Sequence, residues 1–350
     1  MKDTNMGYGA YEHSAYTAKT SLRAARGYKT AFEHHEDIQA GRTAVGCHEL
    51  MNIFGKIRES RDSEQHPNSR GVYVGFDGTG SMRDVPVTFQ KSLSPLMSML
   101  TANDYISDPQ VLVSVYGDAF VDKVPLQVGQ FESDVNIDAD LSRLYLEGGG
   151  GYGMEESSEL MAYALAHRCS MDCFEKRQER GYAFLFGDEL SYDTLFAAQI
   201  EKHFGKPPGA NEQFKFEDLD VQELFQLARQ KFDVFFVIPH GTAYYNDARV
   251  LKHWQMRVGE NRALKLSDAT AVSGLIASAI AFAEGCTHDE IREHLGSSSL
   301  PGGAFKKSQI DSVIEALGPM GAQTEQARTR REGRRRIIRH PASTSTPAST

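Results

Sequence analysis

Cysteine is scarce. Cys47, Cys169, Cys173 and Cys286 are the only four in 350 residues. Four cannot staple a chain of this length, and a core of this size needs no staples, so a disulfide scaffold is excluded. Each Cys reads as a small buried apolar residue. Long apolar runs are missing as well. None approaches the ~18 residues of a membrane span, and the N-terminus, MKDTNMGYGAYEH, has no hydrophobic stretch of the signal-peptide kind. The expectation is a reduced, cytoplasmic protein with no membrane association. Phosphate-binding strings are absent too. There is no G-x-x-x-x-G-K-[ST] loop, and Gly75-x-x-Gly78-x-Gly80 has the wrong spacing for a dinucleotide fingerprint.

What is present is an ordinary globular balance, 40% hydrophobic and 24% charged residues, which excludes a wholly disordered chain. The net charge of -9 argues against a general nucleic-acid binder. The charge is unevenly placed. From Gln323 to Thr350 there are seven Arg and two Glu, net +5, so the other 322 residues carry -14.

Punctuation divides the chain into five parts. Residues 1–57 read as an N-terminal extension with some helix, rich in Tyr (Tyr8, Tyr11, Tyr16, Tyr28), whose rings are expected to pack on the main domain. Residues 58–70 form a charged loop, 71–295 the main domain, and 296–322 a loop with a short helix. Residues 323–350, Arg-rich and then PASTSTPAST, read as a disordered tail. Within the main domain, short apolar runs alternate with helical periodicities. Strands are expected at Val72 to Phe76, Val111 to Tyr116, Tyr182 to Phe186, Val234 to Ile238 and Ala263 to Leu266. A hairpin is expected over Val121 to Val128. Helices are expected over Val87 to Leu100, Ile137 to Leu146, Glu155 to His167, Glu217 to Lys231, Asp247 to Val258 and Asp268 to Ala283. This alternation predicts an α/β fold: a doubly wound, mostly parallel sheet of about six strands, one antiparallel edge strand, and helices on both faces. Ligands of such sheets bind outside the carboxyl ends of the strands.

Those ends carry Asp77, Asp188 and His240. The first opens the string Asp77-Gly78-Thr79-Gly80-Ser81-Met82, between a strand and a helix. A carboxylate and two hydroxyls at alternate positions of a tight turn can face one centre. Oxygen ligands suit a hard cation, Mg²⁺ or Mn²⁺, better than Zn²⁺. Asp188, in FLFGDEL, would reach the same place from another strand.

Asp-x-Thr-x-Ser after the first strand resembles the metal-ion-dependent adhesion site (MIDAS) of von Willebrand factor type A (vWA) domains. The order of elements is similar, over Arg70 to Gly285. The resemblance implies that Thr79 and Ser81 ligate the metal through their hydroxyls, and that Asp77 and Asp188 hold it directly or through water. It also implies a non-catalytic module, in which the metal accepts an acidic residue from a protein partner. Intracellular relatives often work beside ring-forming ATPases or as subunits of other complexes, as scaffolds or adaptors. The chain departs from the family at the loop before the middle helix, where a Thr or an acid is usual. Here that loop is Gly148 to Gly151, Tyr152, Gly153. Either Glu155 fills the gap, or backbone and water at Gly150 and Gly151 do, or the site is weakened. His240 is a candidate for the rim of the ligand groove.

Two other readings stay open. Phe76-Asp77-Gly78-Thr79 resembles the start of a haloacid-dehalogenase-type phosphatase, but the nucleophilic Asp of that motif falls on Gly75. A metal-dependent hydrolase at the same strand ends is therefore the weaker alternative. The run RTRREGRRRIIRH offers a nucleic acid only counterion release, with no aromatic residue for stacking, so an RNA-associated role would be weak and sequence-blind.

Overall fold

Nine consecutive buried residues, Ser69–Asp77, make the central strand β1 of the computed structural model, which describes residues 11–82, 84–103, 105–149, 153–321 and 329. Five strands join it: β2 (Asp108–Tyr116), β3 (Leu126–Val128), β4 (Gly181–Phe186), β5 (Phe232–Pro239) and β6 (Ala263–Leu266). Their spatial order is β6-β5-β4-β1-β2-β3. All neighbours run parallel except β3, which lies antiparallel on β2 at the edge. The fold is α/β, a doubly wound sheet of six strands with helices on both faces.

The period of two sorts side chains between the faces. Val72, Val74 and Phe76 of β1 enter one apolar core with Val113, Phe184 and the helices Asp84–Lys91, Leu93–Ala102, Val272–Ala283 and Lys307–Leu317. Tyr73, Leu112 and Leu185 enter the other, with helices Glu159–His167, Val221–Lys231 and Ala248–Val258. Strands buried on both faces lose the alternating polar pattern, which is why they read as plain apolar runs.

Several elements depart from the expected boundaries for identifiable reasons. The helix expected over Val87 to Leu100 is two, Asp84–Lys91 and Leu93–Ala102. Pro95 has no N–H and its ring crowds the carbonyl four residues back, at Lys91, where the first helix stops. The helix expected from Glu155 begins at Glu159; Glu155–Glu156 pairs instead, in parallel, with Leu190–Ser191. The early hairpin keeps only Leu126–Val128 as strand. Arg58–Ser60, read as loop, lies parallel to Cys169–Met171.

The N-terminal segment forms two helices, α1 (His13–Ala25) and α2 (Glu33–Gln39). Polar anchors hold it as well as rings. The Arg23 guanidinium sits 2.6 Å from the buried Asp138 carboxylate and 3.1 Å from Glu33. The Tyr16 hydroxyl donates to the Gln90 carbonyl, and Phe32 is buried in the first core. No helix among the described residues is long and apolar enough to cross a membrane. The tail from 323 onward lies outside the described residues, Thr329 apart.

Candidate metal centre

The strand order reverses at β1: the chain leaves it towards β2 and β3, then returns to β4 on its other side. The crevice of a doubly wound sheet opens where the order reverses. Phe76 pairs with Phe186 in the ladder, so Asp77 and Asp188 emerge just past the same level, at the carboxyl ends of adjacent strands.

The turn after β1 is clamped on two sides. The Gly78 N–H donates to the Tyr116 carbonyl at 2.7 Å, and the Thr79 N–H donates to Asp77 Oδ1 at 2.7 Å. The Gly80 N–H donates to the Gly149 carbonyl, while the Gly148 N–H donates back to Gly78. A Cβ at Gly78 would lie 2.8 Å from Val115 Cγ1 and 3.2 Å from the Tyr116 carbonyl oxygen. Gly78→Ala is therefore expected to push the turn off β2 and to cost about 1–3 kcal/mol, read as a lower urea midpoint. An unchanged midpoint would mean that the turn yields freely.

Asp77 and Thr79 are both buried. Oδ2 of Asp77 has no hydrogen-bond partner. Burial pushes the Asp77 carboxyl up to about 7, against the two hydrogen bonds from Thr79, and the charges of Asp188 and Asp122 add to the rise. Asp188 is fully buried and accepts the Tyr244 N–H at 2.8 Å. Ser81 lies in the short helical turn Gly80–Met82, but its side chain is outside what the structure describes. Gly150 and Gly151 are also outside the described residues. His240 is exposed and packs edge-on against Tyr245, with ring centroids 5.0 Å apart. Its backbone N–H donates to the Leu266 carbonyl.

Two adjacent acids follow the glycine loop. The short strand turns one out and the next in. Glu155 stays half-buried and accepts the Met154 N–H. Glu156 is 2% exposed, and neither carboxylate oxygen has a hydrogen-bond partner. Burial raises its pKa far above the carboxylate range, and the charge of Asp77 is the next cause. Glu189, half-buried beside Asp188, is pushed up to about 8, first by burial and then by Asp77. Asp118 and Asp122 flank the group; the Asp118 carboxylate accepts the Phe120 N–H, and Asp122 accepts the Asp118 N–H. Glu156 and Glu189 were not foreseen. Their signal was adjacency: each neighbours a residue already singled out, and a strand's alternation decides which of two neighbours points inward.

Among the described residues, no three His, Cys, Asp or Glu side chains converge tightly enough to hold one ion between them. The oxygen donors of Asp77, Thr79 and Asp188 are of the type that suits a hard cation that keeps water in its shell, as Mg²⁺ does. The orphaned, buried Asp77 Oδ2 is the atom in the turn that such an ion would satisfy.

No family model and no curated protein matches the chain. Solved structures do. The open conformation of the pilus adhesin SpaC from Lactobacillus rhamnosus GG aligns at 9% identity and TM-score 0.42, over 65% of this chain and 31% of the adhesin. Proximal thread matrix protein 1 from the mussel byssus aligns at 11% identity and TM-score 0.37, over 65% of this chain and 48% of that one. A von Willebrand factor type A protein from Catenulispora acidiphila aligns at 16% identity and TM-score 0.33, over 61% of this chain and 42% of its own. The chain thus spans less than half the length of each of these three structures.

Proposed function

We propose that the chain is a divalent-metal-dependent protein-binding module of the vWA type, a scaffold or adaptor within a larger complex. One observation carries this reading: the carboxylate oxygen of Asp77, buried and without a partner, in a turn that also presents Thr79. A buried, unpaired carboxylate oxygen costs stability unless something pairs with it. Mg²⁺ or Mn²⁺ would be held by the Thr79 and Ser81 hydroxyls, with Asp77 and Asp188 directly or through water. Bound there, the ion supplies one exposed position for a carboxylate from a protein partner. In this reading the chain's residues hold the ion and orient the partner's carboxylate. At Gly75, the nucleophile position of the phosphatase motif, a Cβ would already lie 3.0 Å from Leu185 and 3.1 Å from Ser114. A larger side chain there would have to displace both.

The test is Mn²⁺ binding followed by electron paramagnetic resonance, together with capture of partners from a native extract in Mg²⁺ or chelator. Asp77→Ala is expected to weaken Mn²⁺ binding by about 100-fold or more, the loss of one buried charged ligand. It is also expected to release the partners that chelator releases. Wild type that leaves Mn²⁺ free in solution would sink the reading. Partners indifferent to both chelator and mutation would move the function away from this turn.

A further inference from the structure

The opposite end of the sheet holds a cleft of about 440 Å³, lined by Ser133, His66 and Asp108 among others. Asp108 opens β2 and pairs with Ser69, which opens β1. The nine residues of β1, at about 3.3 Å per residue, keep this end roughly 26 Å from Asp77. His66 stands between the other two side chains. Its Nε2 lies 3.2 Å from Ser133 Oγ, and its Nδ1 lies 3.4 Å from Asp108 Oδ1. The tautomer with its proton on Nδ1 donates to Asp108 and leaves Nε2 to accept the Ser133 hydroxyl. Both contacts are long, as hydrogen bonds of this kind often are before a substrate arrives. Backbone from the sheet edge fixes each member. The other Asp108 oxygen accepts the Asn68 N–H at 2.8 Å. Glu132, just before Ser133, exchanges two backbone hydrogen bonds with Val111 of β2. The His66 N–H donates to Ser63 Oγ, and the neighbouring Asp62 pairs with Arg177 at 2.7 Å.

The geometry points to a hydrolytic centre here, with Ser133 as nucleophile, His66 as general base, Asp108 as the residue that positions His66, and a small uncharged ester as substrate. The centre needs no cation and lies apart from the Asp77 turn, so it stands whether or not the binding reading does. The cleft selects the substrate class. Met97 and Pro109 give it apolar surface, and among the described residues Asp108 is the one carboxylate that lines it, with no Lys or Arg. Its volume is that of a small-molecule site. Ser133 Oγ attacks the ester carbonyl carbon and passes its proton to His66 Nε2. The bond from that carbon to the leaving alcohol breaks, and the alcohol departs with the proton. The acyl group remains as an ester on Ser133. Water then attacks the acyl carbon while His66 takes its proton. The carboxylic acid leaves, and the proton returns to Ser133 Oγ.

The probes are a fluorophosphonate, which loses fluoride to an activated serine, and p-nitrophenyl acetate, both used on the full chain. Peptide mass spectrometry locates the label, which is expected on Ser133 in wild type. Ser133→Ala should take no label there and should lower p-nitrophenyl acetate turnover by about 100-fold or more. His66→Ala should slow labelling by about 100-fold or more, the usual worth of a positioned base. In Asp108→Asn the amide oxygen can still accept the Asn68 N–H, which turns the amide N–H towards His66 Nδ1 and reverses the tautomer. That variant should lower kcat by about 100-fold with KM within about twofold, a split that a loosened fold would not give. Chelator should change none of these rates. Wild type that takes no label would overturn the proposal. So would label on Ser94, whose Oγ lies 2.7 Å from His13 Nδ1 in the same cleft. Turnover that survives Ser133→Ala, or that disappears in chelator, would overturn it as well.

Discussion

In chelator, the melting temperature is expected to fall by about 5–10 °C as the pH is raised from about 5 to about 8, and saturating Mg²⁺ is expected to restore most of the loss. The cause is the carboxyl group around the β1 turn. Asp77 is pushed up to about 7 from its ordinary 3.8, and Glu189 to about 8 from 4.5. Glu156 is raised further, by burial and by the charge of Asp77. Above their ordinary pKa values the unfolded chain gives up these protons, while the folded chain keeps them. The unfolded state then binds fewer protons, so stability falls with rising pH. The fall begins near the ordinary values and for Asp77 is complete once the pH passes its raised one. Asp77 is 1% exposed, so its shift converts without much solvent screening, to about 4 kcal/mol at most. The others share the same field, so their shares do not simply add. A cation that binds only the folded state recovers RT ln(1 + [L]/Kd), about 2.7 kcal/mol at 100 times Kd. Glu156→Gln removes one of the titrating groups. It should flatten the pH profile in chelator and reduce the gain from Mg²⁺. Scanning calorimetry across this range, with and without Mg²⁺, reads both effects. A flat profile in chelator would mean that the carboxyls are solvated and that the centre is not strained.

How far the sequence reveals this site depends on which interactions are local. The strands β1, β2, β4, β5 and β6 were legible because each is a short apolar run closed by Gly, Asp or Pro. Strand β1 is longer than its apolar run because Arg70, a charged residue, is buried at its start. The guanidinium donates to the Arg180 carbonyl and pairs with Glu179 and Glu284. No local pattern announces a buried Arg whose partners lie more than a hundred residues away. The Asp77-x-Thr79-x-Ser81 turn was legible for the opposite reason: its residue types sit together in the sequence and the Thr79 bond to Asp77 is local, although its backbone clamps to Tyr116 and Gly149 are not. Glu156 was missed because a two-residue strand is too short to show a period. Its pairing with Leu190–Ser191 depends on the loop after β4, which also carries Asp188. The tyrosines of the N-terminal segment suggested packing, yet the strongest anchor is an ion pair that no spacing displays.

That anchor sets the second large effect. Arg23→Ala is expected to cost about 3–5 kcal/mol, because it leaves a buried carboxylate without its cation. The Asp138 side chain is fully buried, and Arg23 keeps only 7% of its own exposed. After the change Asp138 would retain the Gln90 amide, at 3.2 Å, as its one remaining side-chain donor. A neutral amide does not compensate a buried charge, so the carboxylate draws in water and α1 lifts from the domain. Asp138 begins the chain of contacts through Arg23 to Glu33 and α2, so the loss should spread to α2. Urea denaturation measures the cost, and limited trypsin digestion reports where it falls. Early cleavage after Arg26 and Lys29, with the sheet intact, is the expected pattern for a lifted N-terminal segment. The double variant Arg23→Met, Asp138→Asn removes both charges while keeping bulk, and should recover most of the stability. Recovery distinguishes an uncompensated charge from simple loss of packing, since Met restores only the stem contacts. If Arg23→Ala costs less than about 1 kcal/mol, the pair behaves as a surface ion pair and the segment is held by Phe32 and its apolar neighbours alone. In that case α2 should keep its place without Arg23.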